Sequence, residues 1–509
     1  MTTPRSDPSP PPSLEPDRVS TGVPGLDDIL GGGLDGERIY LIEGRPGTGK
    51  TTLALQCLLE GARRGEASLY VTMSESEQEL RVGAARHGWS LDDISIFELA
   101  PTEATLAGAQ AQSLFHPAEM ELGETTKLIT DRVTAVGPTR VVFDSLSELR
   151  LLAQNPLRYR QQILALRHFF ADCRCTVLLL DDITAPGDDL GLHSIAHGVI
   201  TLEQLAIDYG PDRRRLRVVK MRGTDFRGGF HDFVIRSGGI AAFPRLVASE
   251  HRTAALGEPI SSGNPQLDAL LGGGLDRGTS ALLIGGAGVG KSSVALGFAV
   301  AAAERGEHAA VFAFDEGRGT IFARAARLGI PLQAHVDAGR ISLQQIDPAE
   351  LSPGEFVHRV QASVERDRAQ LVVIDTLNGY LNAMPGERFL VLQMHEVLSY
   401  LGQLNVVTLL VLAQHGLMGP LETPLDVSYL SDAVLMLRYF ESEGHVRRAM
   451  SLVKKRSGVH EDTIREFRLT GNGLEVGPPL TGFDGILTGV PVYRGDGVPL
   501  LDRGEDGRE

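Results

Sequence analysis

The sequence is poor in several things, and each shortage excludes a class of protein. It holds three cysteines in 509 residues, Cys57, Cys173 and Cys175, too few for a disulfide framework and suited to a reducing, cytoplasmic setting. The Cys173-Arg174-Cys175 pair has no second pair near it in sequence, so a thiolate metal site lacks half its ligands. No apolar run reaches the roughly 18 residues needed to cross a bilayer. The opening residues, MTTPRSDPSPPPSLEPDR, have no apolar centre. They read as a Pro-rich disordered tail over 1–16 rather than a secretory signal. Positive charge is also short, with 49 Lys and Arg against 65 Asp and Glu and a formal charge of −16. Such a field repels phosphate backbones on average, so nucleic acid is not the expected partner. Arg213-Arg214-Arg215 reads as a solvated turn after Gly210-Pro211-Asp212. The remaining composition, 42% hydrophobic and 22% charged, describes a globular protein with room for a large core.

Glycine, by contrast, is plentiful and patterned. The segment GRPGTGKTT contains Gly44, Gly47, Thr48, Gly49, Lys50, Thr51 and Thr52. A second segment, GGAGVGKSS, contains Gly285, Gly288, Val289, Gly290, Lys291, Ser292 and Ser293, 241 residues further on. Both fit G-x-x-x-x-G-K-[ST], in which backbone N–H groups close around phosphates, the lysine reaches the β/γ-phosphates, and the hydroxyl holds Mg²⁺. Each follows an apolar run (Ile39–Ile42, Ala281–Ile284) and precedes a helical pattern. Two nucleotide sites with Mg²⁺ are therefore expected.

The duplication extends beyond these loops. STGVPGLDDILGGGLDGE (20–37) faces SSGNPQLDALLGGGLDRG (261–278) without a gap, VVFDSLSEL faces VVIDTLNGY, and Lys220-Met221-Arg222 faces Lys454-Lys455-Arg456. The repeats span about 17–247 and 248–485, with a flexible tail expected over 486–509. Short Val/Leu/Ile runs alternate with longer amphipathic segments, which predicts an α/β fold: two tandem domains, each a mainly parallel sheet flanked by helices. The runs end in polar residues, at Glu75, Asp144 and Asp181 in the first repeat and at Asp315-Glu316, Asp375 and Gln414 in the second. Ligands of open α/β sheets sit at that edge.

These motifs, together with the STGVPGLDDILGGGL lead-in, resemble the RecA-like P-loop ATPases and, through the tandem duplication, the KaiC family of clock proteins. The resemblance covers about 17–470. It implies a homohexameric double ring with ATP between subunits, regulatory protein partners, and a first domain that is chiefly an ATPase and assembly ring. The second domain would add Ser/Thr autokinase chemistry. On the same resemblance, Asp144 and Asp375 hold Mg²⁺ through water, and adjacent carboxylates after the second strand polarise the nucleophile. The second repeat has both acids, Asp315 and Glu316; the first has Ser74 and only Glu75. Lys220 and Arg222, like Lys454 and Arg456, match a K-x-R pair reaching a neighbour's γ-phosphate. The family's adjacent phosphosites fall on Ser428 and Tyr429, with Thr423 and Ser431 nearby. A tyrosine at the second place departs from the pattern and weakens the case for an ordered two-site cycle. A RadA-like DNA repair motor and a non-catalytic, ATP-assembled scaffold are the alternative readings.

Overall fold

The computed structural model describes residues 17–99, 117–153, 155–183, 191–207, 210–250, 257–381, 389–414, 428–487 and 491–493. The chain divides into two compact units, with the main division along the sequence between Arg245 and Leu246.

In the first unit nine strands form one sheet. They are β1 (Ile39–Gly44), β2 (Ser68–Thr72), β3 (Ser95–Glu98), β4 (Arg140–Asp144), β5 (Thr176–Asp182), β6 (Gly198–Leu205), β7 (Arg213–Met221), β8 (His231–Arg236) and β9 (Gly239–Phe243). The spatial order is β3-β2-β4-β5-β1-β6-β7-β8-β9. The strands from β3 to β6 run parallel, and β7, β8 and β9 follow as an antiparallel meander. Helices α1 (Lys50–Arg63), α2 (Glu77–Arg86), α3 (Leu146–Ala153) and α4 (Pro156–Asp172) cover it. Because side chains alternate along a strand, Tyr40 and Ile42 face α1 through Leu53, Ala54, Cys57 and Leu58. Ile39 and Leu41 face the opposite way, towards Leu146, Leu149, Ile163 and Phe170 of α3 and α4. Each large side chain so buried stabilises the fold by about 1.5–3 kcal/mol.

The second unit repeats this plan. Its strands are β10 (Ser280–Gly285), β11 (His308–Ala313), β12 (Ile341–Gln345), β13 (Ala369–Asp375), β14 (Val407–Ala413), β15 (Ala433–Ser442), β16 (His445–Lys455), β17 (Ile464–Thr470) and β18 (Gly473–Pro479). They are ordered β12-β11-β13-β14-β10-β15-β16-β17-β18, the same permutation. Helix α5 (Lys291–Glu304) packs Val294, Phe298 and Ala302 on one face. Helix α6 (Arg318–Arg327) follows β11, and α7 (Pro353–Glu365) and α8 (Phe389–Gln403) cover the other face. The two lead-ins also match in detail. Asp27 accepts from Ser20 Oγ (2.6 Å) and Thr21 N (2.9 Å), as Asp268 accepts from Ser261 Oγ and Ser262 N (2.5 and 2.7 Å).

Two sequence expectations change. Arg213-Arg214-Arg215 is not a turn but the start of β7, because Leu216 and Val218 further along are drawn into the core. Within it, Arg215 meets Glu203 at 2.8 Å and lies 3.9 Å from the Phe230 ring centre. The chain after 485 begins anchored, since Ile486 is fully buried and Val492–Tyr493 pairs with Phe483–Asp484. The proline-rich segment 1–16 and residues 494–509 lie outside the described residues. Among the described residues no helix is long and apolar enough to cross a membrane. Cys175 is buried with its thiol on the Pro138 carbonyl (3.0 Å), and no group of three or more potential metal ligands surrounds it or any other described residue.

His231 gives the first unit an acid-sensitive point. The ring is 1% exposed, accepts the Arg245 N–H at Nδ1 (2.8 Å), and so carries its proton on Nε2, which donates to the Arg227 carbonyl (2.8 Å). Burial pushes its pKa down to about 4. The unfolded chain takes up this proton near pH 6.5 and the folded chain only near 4, so stability is full above 6.5 and falls as pH drops through that window. A loss of up to about 3 kcal/mol is expected. Denaturant unfolding at pH 7.5 and 4.5 should show a steeper loss in the parent than in His231→Gln; equal slopes would exclude the assignment.

Candidate nucleotide sites

Each phosphate loop lies between the carboxyl end of its central strand and the start of a helix, β1 to α1 and β10 to α5. Gly49 and Gly290 precede the helices at φ 104° and 114°, a region that disfavours side chains. Gly44 and Gly285 have no room for one: a Cβ would lie 2.5 Å from the Leu202 carbonyl oxygen and 2.2 Å from that of Leu437. At these two positions glycine permits the close approach of β6 to β1 and of β15 to β10.

Lys50 Nζ donates to the carbonyls of Gly44 (3.0 Å) and Arg45 (3.1 Å), and it also meets Asp182 Oδ1 at 2.6 Å. Lys291 Nζ donates to Gly285 (2.9 Å) and Gly286 (2.7 Å). Burial pushes Lys291 down to about 8, against the opposing pull of Asp375. Thr51 Oγ1 donates to Asp144 Oδ2 (3.1 Å), and Ser292 Oγ donates to Asp375 Oδ1 (3.0 Å). The hydroxyl and the strand-end acid therefore stand together in both copies, and each acid is followed by a cis peptide bond. Burial raises the pKa of both acids. Tyr70, Thr51 and Lys50 oppose this at Asp144, and Ser292 and Arg324 oppose it at Asp375. With no three-ligand cluster among the described residues, each hydroxyl–acid pair suits a Mg²⁺ ion shared with phosphate oxygens and water, not one chelated by protein alone.

The remaining acids differ between copies. Glu75 is exposed overall, but its carboxyl is pushed above the usual range by partial desolvation, then by Asp144 and Glu79. It stands just before the Ser76–Glu79 capping box that starts α2. Glu316 instead pairs with Arg324 at 2.6 Å, and Asp315 accepts from Thr376. An open cleft of about 690 Å³ borders this second loop, lined by Lys291, Ser292, Arg324 and Arg448 among others. The sequence reading missed Tyr70, Asp182 and Arg324. Tyr70 sits inside an apolar run. Arg324 corresponds to Gly83 at the 241-residue offset and so had no repeat partner to flag it.

The K-x-R pairs lie away from their own phosphate loops. Lys220 pairs with Val199 and Lys454 with Val434, whereas Gly44 and Gly285 pair with Leu202 and Leu437. The basic pair is thus three residues, roughly 10 Å, back towards the opposite edge of the sheet. In both copies a β-bulge precedes the lysine, leaving Val219 and Val453 exposed. Bulges of this kind re-aim neighbouring side chains. Lys220 and Arg222 donate to the carbonyls of Ala196 (2.9 Å) and Ser194 (2.6 Å). Lys454 donates to the Ser431 carbonyl (2.8 Å), while Arg456 meets Asp432 (3.1 Å) and the Tyr429 carbonyl (2.9 Å). Ser428 opens the short 3-10 turn Ser428–Leu430; Tyr429 is exposed and Ser431 fully buried. Thr423 lies outside the described residues.

The profile of a family described as "ATPase: KaiC" matches residues 19–247 and 260–481. The chain is 26% identical over 488 residues to the circadian clock protein KaiC3 of Synechocystis sp., covering 94% of this chain and 95% of the relative. It is 25% identical to the circadian clock oscillator protein KaiC of Thermostichus vulcanus, with 96% and 94% covered. A third relative, the circadian clock protein KaiC2 of Synechocystis sp., is 26% identical, with 94% and 84% covered.

Proposed function

The chain belongs to the KaiC family of ATPases, and on that premise we propose that it is a Mg-ATP-dependent, ring-forming regulator whose second domain phosphorylates hydroxyls of its own assembly. Both loops bind ATP, with Lys50 and Lys291 neutralising phosphate oxygens. Thr51 with Asp144, and Ser292 with Asp375, would hold the Mg²⁺, which would supply charge neutralisation for the phosphates. Glu75 orients water in the first site. In the second, Glu316 exchanges Arg324 for the attacking hydroxyl or water and accepts its proton, with Asp315 beside it. Six subunits close the ring, so that Lys220 and Arg222, and Lys454 and Arg456, each face a neighbour's γ-phosphate. The naming of its relatives as clock proteins favours a signalling or timing role with regulatory protein partners.

The observation that carries the kinase reading is the Arg456 contact with the Tyr429 carbonyl. It ties the candidate acceptor turn to the basic pair, so both would arrive together at a neighbour's nucleotide. Incubating the pure protein with Mg-ATP and mapping phosphate by mass spectrometry tests this. Incorporation is expected at Ser428, with Tyr429 and Thr423 as secondary candidates; a chain left unmodified while turning over ATP would remove the kinase reading and leave the ATPase.

A further inference from the structure

We propose that Asp182 is an affinity-setting residue of the first nucleotide site, a built-in counter-ion that a phosphate must displace from Lys50. The inference rests on reading the first loop as a nucleotide site. Consecutive acids end β5, and they have separate partners. Asp181 meets Arg150 at 2.6 Å and accepts from Ser147 Oγ at 3.2 Å. Asp182 meets the Lys50 ammonium at 2.6 Å. Lys50 is 8% exposed and Asp182 30% exposed, so the pair is only partly screened by water.

Among the described residues the second site has no counterpart of this pair. Asp182 pairs with Gly44 across the strands, and the residue that pairs with Gly285 in the same way is Ala413. Lys291 makes the same two carbonyl contacts as Lys50, to Gly285 and Gly286, and these carry no net charge to give up. At the first site a bound phosphate takes over Lys50 and leaves the Asp182 carboxylate beside a ligand of the same sign. Both consequences oppose binding; the first is the same for any phosphate that takes over Lys50, and the second grows with the charge on the ligand. The first site should therefore bind ATP less tightly than its loop sequence suggests, and Asp182 should penalise ATP more than ADP.

The test uses the full chain and a fluorescent ATP or ADP analogue. A Lys291→Ala background confines binding to the first site. There, Asp182→Ala and Asp182→Asn should each tighten ATP by roughly tenfold and ADP by less, raising the ATP-to-ADP affinity ratio. The isosteric asparagine guards against a folding defect in the alanine variant, and a purely structural role would not move the ratio. The reciprocal change, Ala413→Asp in a Lys50→Ala background, should weaken ATP at the second site by a similar factor. First-site binding that is unchanged or weaker in both Asp182 variants would overturn the inference alone. No binding with or without Asp182 in the Lys291→Ala background would overturn the nucleotide reading of the first loop, and the inference with it.

Discussion

Arg456→Ala is expected to slow ATP turnover in the second domain by roughly 10³- to 10⁵-fold, the range over which an arginine supplied from outside a phosphoryl-transfer site acts. The measurement is phosphate release from a chain carrying Glu75→Gln, which quiets the first site without removing its phosphate grip. Arg456 is exposed and held by Asp432 and a backbone carbonyl, so its loss should leave the fold intact. A mixing experiment decides how it acts. Chains carrying Arg456→Ala and chains carrying Glu316→Gln, inactive separately, should regain turnover when assembled together. The interfaces that pair an intact Glu316 with an intact Arg456 account for the gain. Mixtures that stay inactive would show that the arginine does not serve a neighbour.

Glu316→Gln in the same background should lower second-domain turnover and phosphate incorporation by roughly 10²- to 10⁴-fold, the usual contribution of a positioned acid–base group. Glutamine keeps the size of the side chain and a carbonyl oxygen for Arg324, so nucleotide affinity should change little while the chemical step slows. Unchanged turnover would mean that the second site binds ATP without using Glu316. Glu75 gives the comparison. Its carboxyl is already pushed upward by partial desolvation and neighbouring acids, which brings a lone glutamate closer to the pH at which a base works best.

The sequence was most legible where chemistry is local. The glycine spacing of the loops, the strand-end acids and the parallel half of each sheet all follow from runs of a few residues, and the repeat supplied each reading twice. Three kinds of feature were not legible. The antiparallel meander was obscured because β7 begins with three arginines, of which Arg215 is held by Glu203 and the Phe230 ring. Asp182 was passed over because the apolar run of β5 stops at Leu180 while strand pairing continues to Asp182 beside Gly44. The K-x-R pairs were visible as a pattern, but their distance from their own loops depends on strand register and on a bulge that no single-strand pattern records.

The opposite-edge placement of those pairs has a consequence for mixed rings. A chain whose arginine cannot reach its own nucleotide takes part in two active sites and completes neither alone. On the ring reading, a subunit lacking Arg456 spoils the site of the neighbour it should serve while its own nucleotide is still served by the subunit on the other side. A mixed ring therefore loses one site per defective chain, and the lost site sits on the neighbour, so the nucleotide that stays unhydrolysed is carried by an intact subunit.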